Sequence, residues 1–194
     1  SATVKEELLY EIGDPRNYIE PDGVADFTTV RVEDMGRDRV KVWGARGRPA
    51  PERLKVSMAY QNGFMAIGQI CYSWPDAVAK AKAAEQILRR RFKAVSLKVR
   101  ELRFDLVGLN AIHGPVGGRV PEPDEVMLRV AVRADTKAEA EKIGPEIPCL
   151  VTLGPPTGTG YGGRARAHEV LAYWPTLIPR EAVKPEVVVE EVRC

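Results

Sequence analysis

The sequence has only two histidines, His113 and His168, and histidine is the side chain whose ordinary pKa suits proton transfer near neutrality. His113 closes "FDLVGLNAIH" at the C-terminal end of an apolar stretch, with Asn110 just before it. Strand ends are where side chains reach clefts, so an imidazole there can serve as acid or base. The plainer alternative is a histidine satisfied by a backbone carbonyl in a turn, and spacing alone favours it. His168 stands among arginines ahead of a strand and reads as a surface residue.

Two further stretches carry chemical residue types. "GTGYGG", Gly158–Gly163, matches the dinucleotide fingerprint G-x-G-x-x-G letter for letter. That reading needs a helix opening directly behind the glycines to take the pyrophosphate. Here the following residues alternate like a strand and run into Pro175. Two readings remain: a loop whose amides at Gly158 and Gly160, with Arg164, hold an anion, and a plain surface connection. The other stretch, "YEIGDPRNYIEPDGVADF" over 10–27, packs Asp14, Asp22 and Asp26 around prolines and glycines, with Arg16 among them. Aspartates in such turns cap the local backbone, and residue types alone favour that role here.

Other chemistries are disfavoured. "RRRFK" with Lys80 and Lys82 lacks interleaved aromatics and shares its helix with Glu85, so it reads as a solvated face and not as a nucleic-acid surface. The formal net charge is +2, which gives no pull towards nucleic acid or an anionic membrane. No stretch approaches the roughly 18–20 apolar residues of a bilayer span, and "SATVKEELL" does not read as a secretory signal. Cys71, Cys149 and Cys194 are odd in number and far apart, as free thiols in a reducing cytoplasm would be. No metal and no organic cofactor is expected, and neither a G-x-S-x-G elbow nor a P-loop occurs.

The elements that must position these residues follow from periodicity. A first helix is expected from about Val4 to Ile12, with Thr3 and Glu6 as a capping box. "DFTTVRVED" and "DRVKVWG" alternate around "MGRD" and predict a hairpin. Asn62-Gly63, between "LKVSMAY" and "FMAIGQICY", predicts a second. "GARGRPAPER" reads as a loop kept extended by Pro49 and Pro51. "SWPDAVAKAKAAEQILRRRF" is the clearest helix, with Ser73 and Asp76 as its box and Pro75 in its first turn. Its buried stripe is Val78, Ala81, Ala84, Leu88 and Phe92. Then come strands "ELRFDLVGLN" and "EVMLRVAVRA", separated by the Gly/Pro loop "HGPVGGRVPEPD". A short helix opens at Thr136 and Glu139 and is bent or ended by Pro145 and Pro148. A last strand, "HEVLAYWPTLI", follows.

The fold class expected is α+β: an antiparallel or mixed sheet with β-hairpins and a ferredoxin-like βαββαβ segment from Phe64 onward. Residues 1–26 form a helix and an acidic joining loop, and 27–194 one α+β domain. Its tail, 181–194, either adds an edge strand or hangs free.

Residues 8–64, from "LLYEIGDPRNYIEPDGVADF" to "YQNGF", resemble the acyclic terpene utilisation family of the AtuA type. "RFDLVGLNAIHG" is similar to a second block of that family, and "WPTLIPREAV" to a third. The chain departs from the family at Gly23, where valine is usual, and at Ala111-Ile112, where Ser-Leu is usual. It is also richer in proline through "IGPEIPCLVTLGPP".

Family members are longer, so the resemblance implies that this chain corresponds to their later half and that residues 10–27 join two halves. On that reading His113, Asp14 and Asp26 become candidate catalytic residues. Asn110, Arg16, Asp22, Gly158, Gly160 and Arg164 become candidate substrate-binding residues. Two functions are then expected. One is a component of a multi-subunit enzyme acting on acyclic terpenes or branched acyl-CoA compounds, with an acyl-CoA or other anionic small molecule as ligand. The other is a non-catalytic domain that holds a partner α/β subunit. A homo-oligomer is the remaining partner expectation.

Overall fold

The computed structural model describes residues 1–10, 12–116 and 122–192. Part of the "HGPVGGRVPEPD" loop and the thiol of Cys194 lie outside the described residues. The protein is α+β, its chain divided between two compact units, Ser1–Met58 with Tyr173–Cys194, and Ala59–Ala172.

The first unit is built from short pieces. Helix α1 (Ala2–Glu7) has Ser1 as its N-cap with no side-chain cap bond, and it buries no residue. The expected Thr3/Glu6 box is absent, because Thr3 already lies inside the helix. Strands β1 (Tyr18–Ile19), β2 (Gly23–Asp26) and β5 (Arg46–Pro49) form an antiparallel sheet in the order β1-β2-β5. The "GARGRPAPER" stretch is therefore partly a strand, paired from Gly23↔Pro49 to Asp26↔Arg46. Pro49 is tolerated there because it sits at the strand's end. Strands β3 (Arg31–Asp34) and β4 (Val40–Trp43) make the expected hairpin around Met35–Asp38. Val24 is the only buried apolar side chain among the unit's described residues.

One long strand, β6 (Arg53–Ser73), replaces the hairpin expected at Asn62-Gly63. Gly63 does take a positive φ of 83°, but inside the strand. A Cβ there would lie 2.4 Å from the carbonyl oxygen of Ala134. Asn62 anchors the spot by accepting from Arg100 (3.2 Å) and Arg133 (2.9 Å). Residues 64–73 pair with the apolar strand β8 (Glu125–Ala134) over ten positions, from Phe64↔Ala134 to Ser73↔Glu125. That ladder buries Ile70, Tyr72, Leu128 and Val130 completely, far more apolar surface than a short hairpin would remove from water.

The second unit carries the core. Helix α2 (Ala77–Ala94) buries Ala77, Ala81, Ala84, Leu88 and Phe92, with Val78 half-buried. Its small alanines allow close approach to the sheet. The expected Ser73/Asp76 box does not form: Ser73 is the last residue of β6, and Asp76 caps from a left-handed conformation (φ 59°) with no side-chain cap bond. Pro75 precedes the helix, following Trp74 across a cis peptide. At α3 (Lys137–Glu141), Thr136 does accept from the Glu139 N–H, whereas the Glu139 carboxylate turns to Lys98 and Lys142. Pro145 and Pro148 divide the rest into α4 (Ile143–Glu146) and α5 (Leu150–Leu153). With β7 (Glu101–Val107) and β9 (Ala167–Pro179) the sheet runs β7-β8-β6-β9. Residues 183–192 carry no regular structure and are exposed.

Candidate functional site

Alternation along β6 decides what faces what. Ala66, Gly68, Ile70 and Tyr72 are buried towards the helices, with Gly68 so close to Ile147 that an added Cβ would lie 2.0 Å from its Cδ1. Ile67, Gln69 and Cys71 consequently face the helix-free side. On that side the register sets Asp105 opposite Arg129, and Arg129 opposite Gln69. Asp105 is only 7% exposed. Its oxygens accept from Arg103 Nε (2.7 Å) and from Arg129 Nη2 and Nε (3.0 and 3.2 Å). Burial alone would push this carboxyl up, but the two guanidinium groups outweigh it and hold it below the usual carboxylate range. Arg103 and Arg129 are thereby neutralised, as Arg133 is by Glu101.

The glycine loop is fastened to β6 at Cys71. Thr159 exchanges two backbone hydrogen bonds with Cys71, 2.7 and 2.9 Å. Gly158 packs against Tyr72, where a Cβ would lie 3.2 Å from the ring. Gly160, at φ 64°, lies as close to the Cys71 sulfur. Both expected anion-binding glycines are thus close-packing positions. The loop then delivers "RARAH". Ala165 and Ala167 pack onto the core, so Arg164, Arg166 and His168 take the other side. With Gln69, Gly162 and Gly163 they line a cavity of about 360 Å³. Among the described residues none of these three cationic or titratable side chains has a hydrogen bond or ion pair, and no carboxylate lines the wall. Arg166, His168 and Gln69 were missed in the sequence. The signal that finds Arg166 and His168 is the strict alternation of alanine with charge ahead of Pro175; Gln69 is placed by the alternation of β6.

The remaining candidates are placed as follows. His113 is exposed and its ring has no partner among the described residues of its unit. Asn110 folds back onto β7, its Oδ1 accepting from the Leu106 N–H at 3.3 Å. In the first unit, Asp14 accepts from Arg16 Nε (3.0 Å) and Arg16 N (3.1 Å). Asp26 accepts from Thr28 Oγ1 (2.6 Å) and Thr28 N (2.9 Å). These hydrogen bonds hold both carboxyls below the usual range, and such carboxylates are weak bases. They cap their own turns. Asp14 also borders a cavity of about 260 Å³ with Asn17, Lys55 and Tyr173, whereas Asp22 is exposed.

Tyr72 lies fully buried with no partner for its hydroxyl among the described residues, and burial pushes its pKa up to about 12. Cys71 and Cys149 are free thiols. Among the described residues no helix is long and apolar enough to cross a membrane.

A family model described as "Acyclic terpene utilisation family protein AtuA" matches residues 1–189. No curated protein and no solved structure matches the chain.

Proposed function

The chain belongs to the acyclic terpene utilisation family AtuA, and from that premise we propose that its second unit holds an anionic intermediate of acyclic terpene breakdown. The group held is a carboxylate or the phosphates of a branched acyl-CoA. The chain serves as one component of a larger enzyme. The observation that carries this reading is the cavity whose wall presents Arg164, Arg166 and His168 with no carboxylate and no internal partner. Unpaired guanidinium groups beside glycine backbone suit oxyanions by charge and by fork geometry.

The wall contains no carboxylate or thiol to act as nucleophile, which supports a holding role, with acid–base chemistry assigned to the exposed His113 or to a partner α/β subunit. Pure assembly onto that partner is the second reading, favoured by the exposed Met65 and Ile67 on the helix-free side of β6.

Calorimetric titration with coenzyme A, a branched acyl-CoA and the corresponding free acid tests the proposal. Both arginines are exposed, so the low end of charge-assisted bonds applies, and Arg164→Ala and Arg166→Ala should each weaken binding by roughly tenfold. His113→Asn should leave binding intact while removing activity of the assembled enzyme. Affinity untouched by both arginine substitutions overturns the holding role and leaves the assembly reading.

A further inference from the structure

The first unit has an open groove of about 410 Å³ between α1 and the edge of β3. Leu8, Leu9 and Phe27 line it together with three consecutive residues, Val30, Arg31 and Val32. Val30 leads into β3, and Arg31 and Val32 are its first two residues. Side chains of a strand alternate between its faces, so two adjacent strand residues lining one groove place the strand's backbone edge beside it. Among the described residues that edge is free, because β3 pairs there with β4 alone, in a two-stranded sheet. Lys5 from α1 and Arg31 from β3 are the charged groups of the wall, no carboxylate lines it, and neither cation has a described side-chain partner.

The same unit carries a segment with the opposite character. In "PEVVVEEV", residues 185–192, Val187, Val188, Val189 and Val192 are between 72% and 88% exposed. The glutamates there are Glu186, Glu190 and Glu191. A run of β-branched residues without regular structure is suited to join an open strand edge. As a strand, it would place Val187, Val189 and Glu191 on one face, with Val187 and Glu191 about 13 Å apart. Two apolar side chains followed by a carboxylate match an apolar groove with a cation at its rim.

We propose that the 185–192 tail of a second copy of this chain docks along the free edge of β3, setting Val187 and Val189 in the groove and Glu191 beside Lys5 or Arg31. The occupant is a second copy because each chain leaves its own groove open and its own tail exposed. Reciprocal exchange about a two-fold axis fills both grooves with one interface type. A unit that, among its described residues, buries Val24 alone of its apolar side chains gains apolar cover.

Sedimentation of the full chain over a range of concentrations tests this. The expected result is a reversible dimer. Val187→Asp with Val189→Asp, two exposed positions outside any element, should convert it to monomer without changing the circular dichroism spectrum. Lys5→Glu with Arg31→Glu should weaken dimerisation by roughly tenfold or more, and adding Glu190→Lys with Glu191→Lys should restore it. A chain that is monomeric at every concentration, or a dimer indifferent to the valine substitutions, overturns the proposal. So does a tail variant that lowers the melting temperature of a monomer, since that places the tail in its own groove.

Discussion

Replacing Gly63 by alanine should cost far more than a single added methyl suggests. The residue sits at φ 83°, and a left-handed conformation costs a residue with a Cβ about 1–2 kcal/mol. The Cβ would also stand 2.4 Å from the Ala134 carbonyl oxygen and 3.4 Å from its carbon. Those are backbone atoms, so no rotamer change relieves the contact. The start of the β6–β8 ladder, at Phe64↔Ala134, has to open, forfeiting about 1 kcal/mol for a hydrogen bond. Alanine's stiffer unfolded chain returns about 0.4–1 kcal/mol. The net expectation is a loss of about 1–2.6 kcal/mol.

Gly163 is the matched control: it has the same φ of 83° but nothing within 4 Å of its ideal Cβ, so Gly163→Ala should cost only about 1 kcal/mol. Urea unfolding followed by circular dichroism and by tryptophan fluorescence measures both, with coincidence of the two probes checked because the chain has two units. Equal losses in the two variants, within about 0.5 kcal/mol, would refute the close-approach argument.

Asp105 should give the protein an acid-sensitive term. Its folded pKa lies below its unfolded value of about 3.9, so its stabilisation is complete above that value and lost as pH falls through the folded one. Asp105→Asn should flatten the acid limb of urea midpoints measured between about pH 6 and about pH 2, and an unchanged limb counts against the Arg103–Asp105–Arg129 account. Burial, with the charge of Glu125 second, pushes the Cys71 thiol up, so it should react with disulfide reagents at neutral pH more slowly than an unstructured thiol. Glu125→Gln should speed that reaction, and a Cys71 as fast as the unfolded chain's thiols would contradict the shift.

Legibility in the sequence followed how local the deciding physics was. The α2 stripe, the β3–β4 hairpin, the strands at 101–107 and 125–134 and the breaks at Pro145 and Pro148 follow from periodicity or a missing N–H, which sit within the segment itself. Asn62-Gly63 failed because the dipeptide specifies only a positive φ at glycine. Whether the chain then reverses or continues depends on the partner strand, here 125–134, which lies far along the chain. Ser73 and Asp76 have the letters of a capping box, but the ladder to β8 claims Ser73 as its last residue. In the first unit the β2–β5 pairing was hidden because "RGRP" has no apolar alternation, and its register shows only in space.

The site was legible in a subtler way. Counting acidic residues drew attention to 10–27, where Asp14 and Asp26 turn out to satisfy neighbouring N–H and hydroxyl groups, as the turn chemistry alone had indicated. Counting glycines drew attention to 158–163, where Gly158 and Gly160 serve contact with Tyr72 and Cys71. What separates a binding group from a structural one is whether its charge is already matched. Arg103, Arg129 and Arg133 sit on the same sheet and are each paired with a carboxylate. Arg164 and Arg166 follow glycines that contribute no side chain and alternate with alanines that pack inward, and neither has an ion pair among the described residues. A segment that alternates small apolar residues with cations unpaired among the described residues, anchored at Thr159 to Cys71 of β6, supports the proposed holding of an anion from outside.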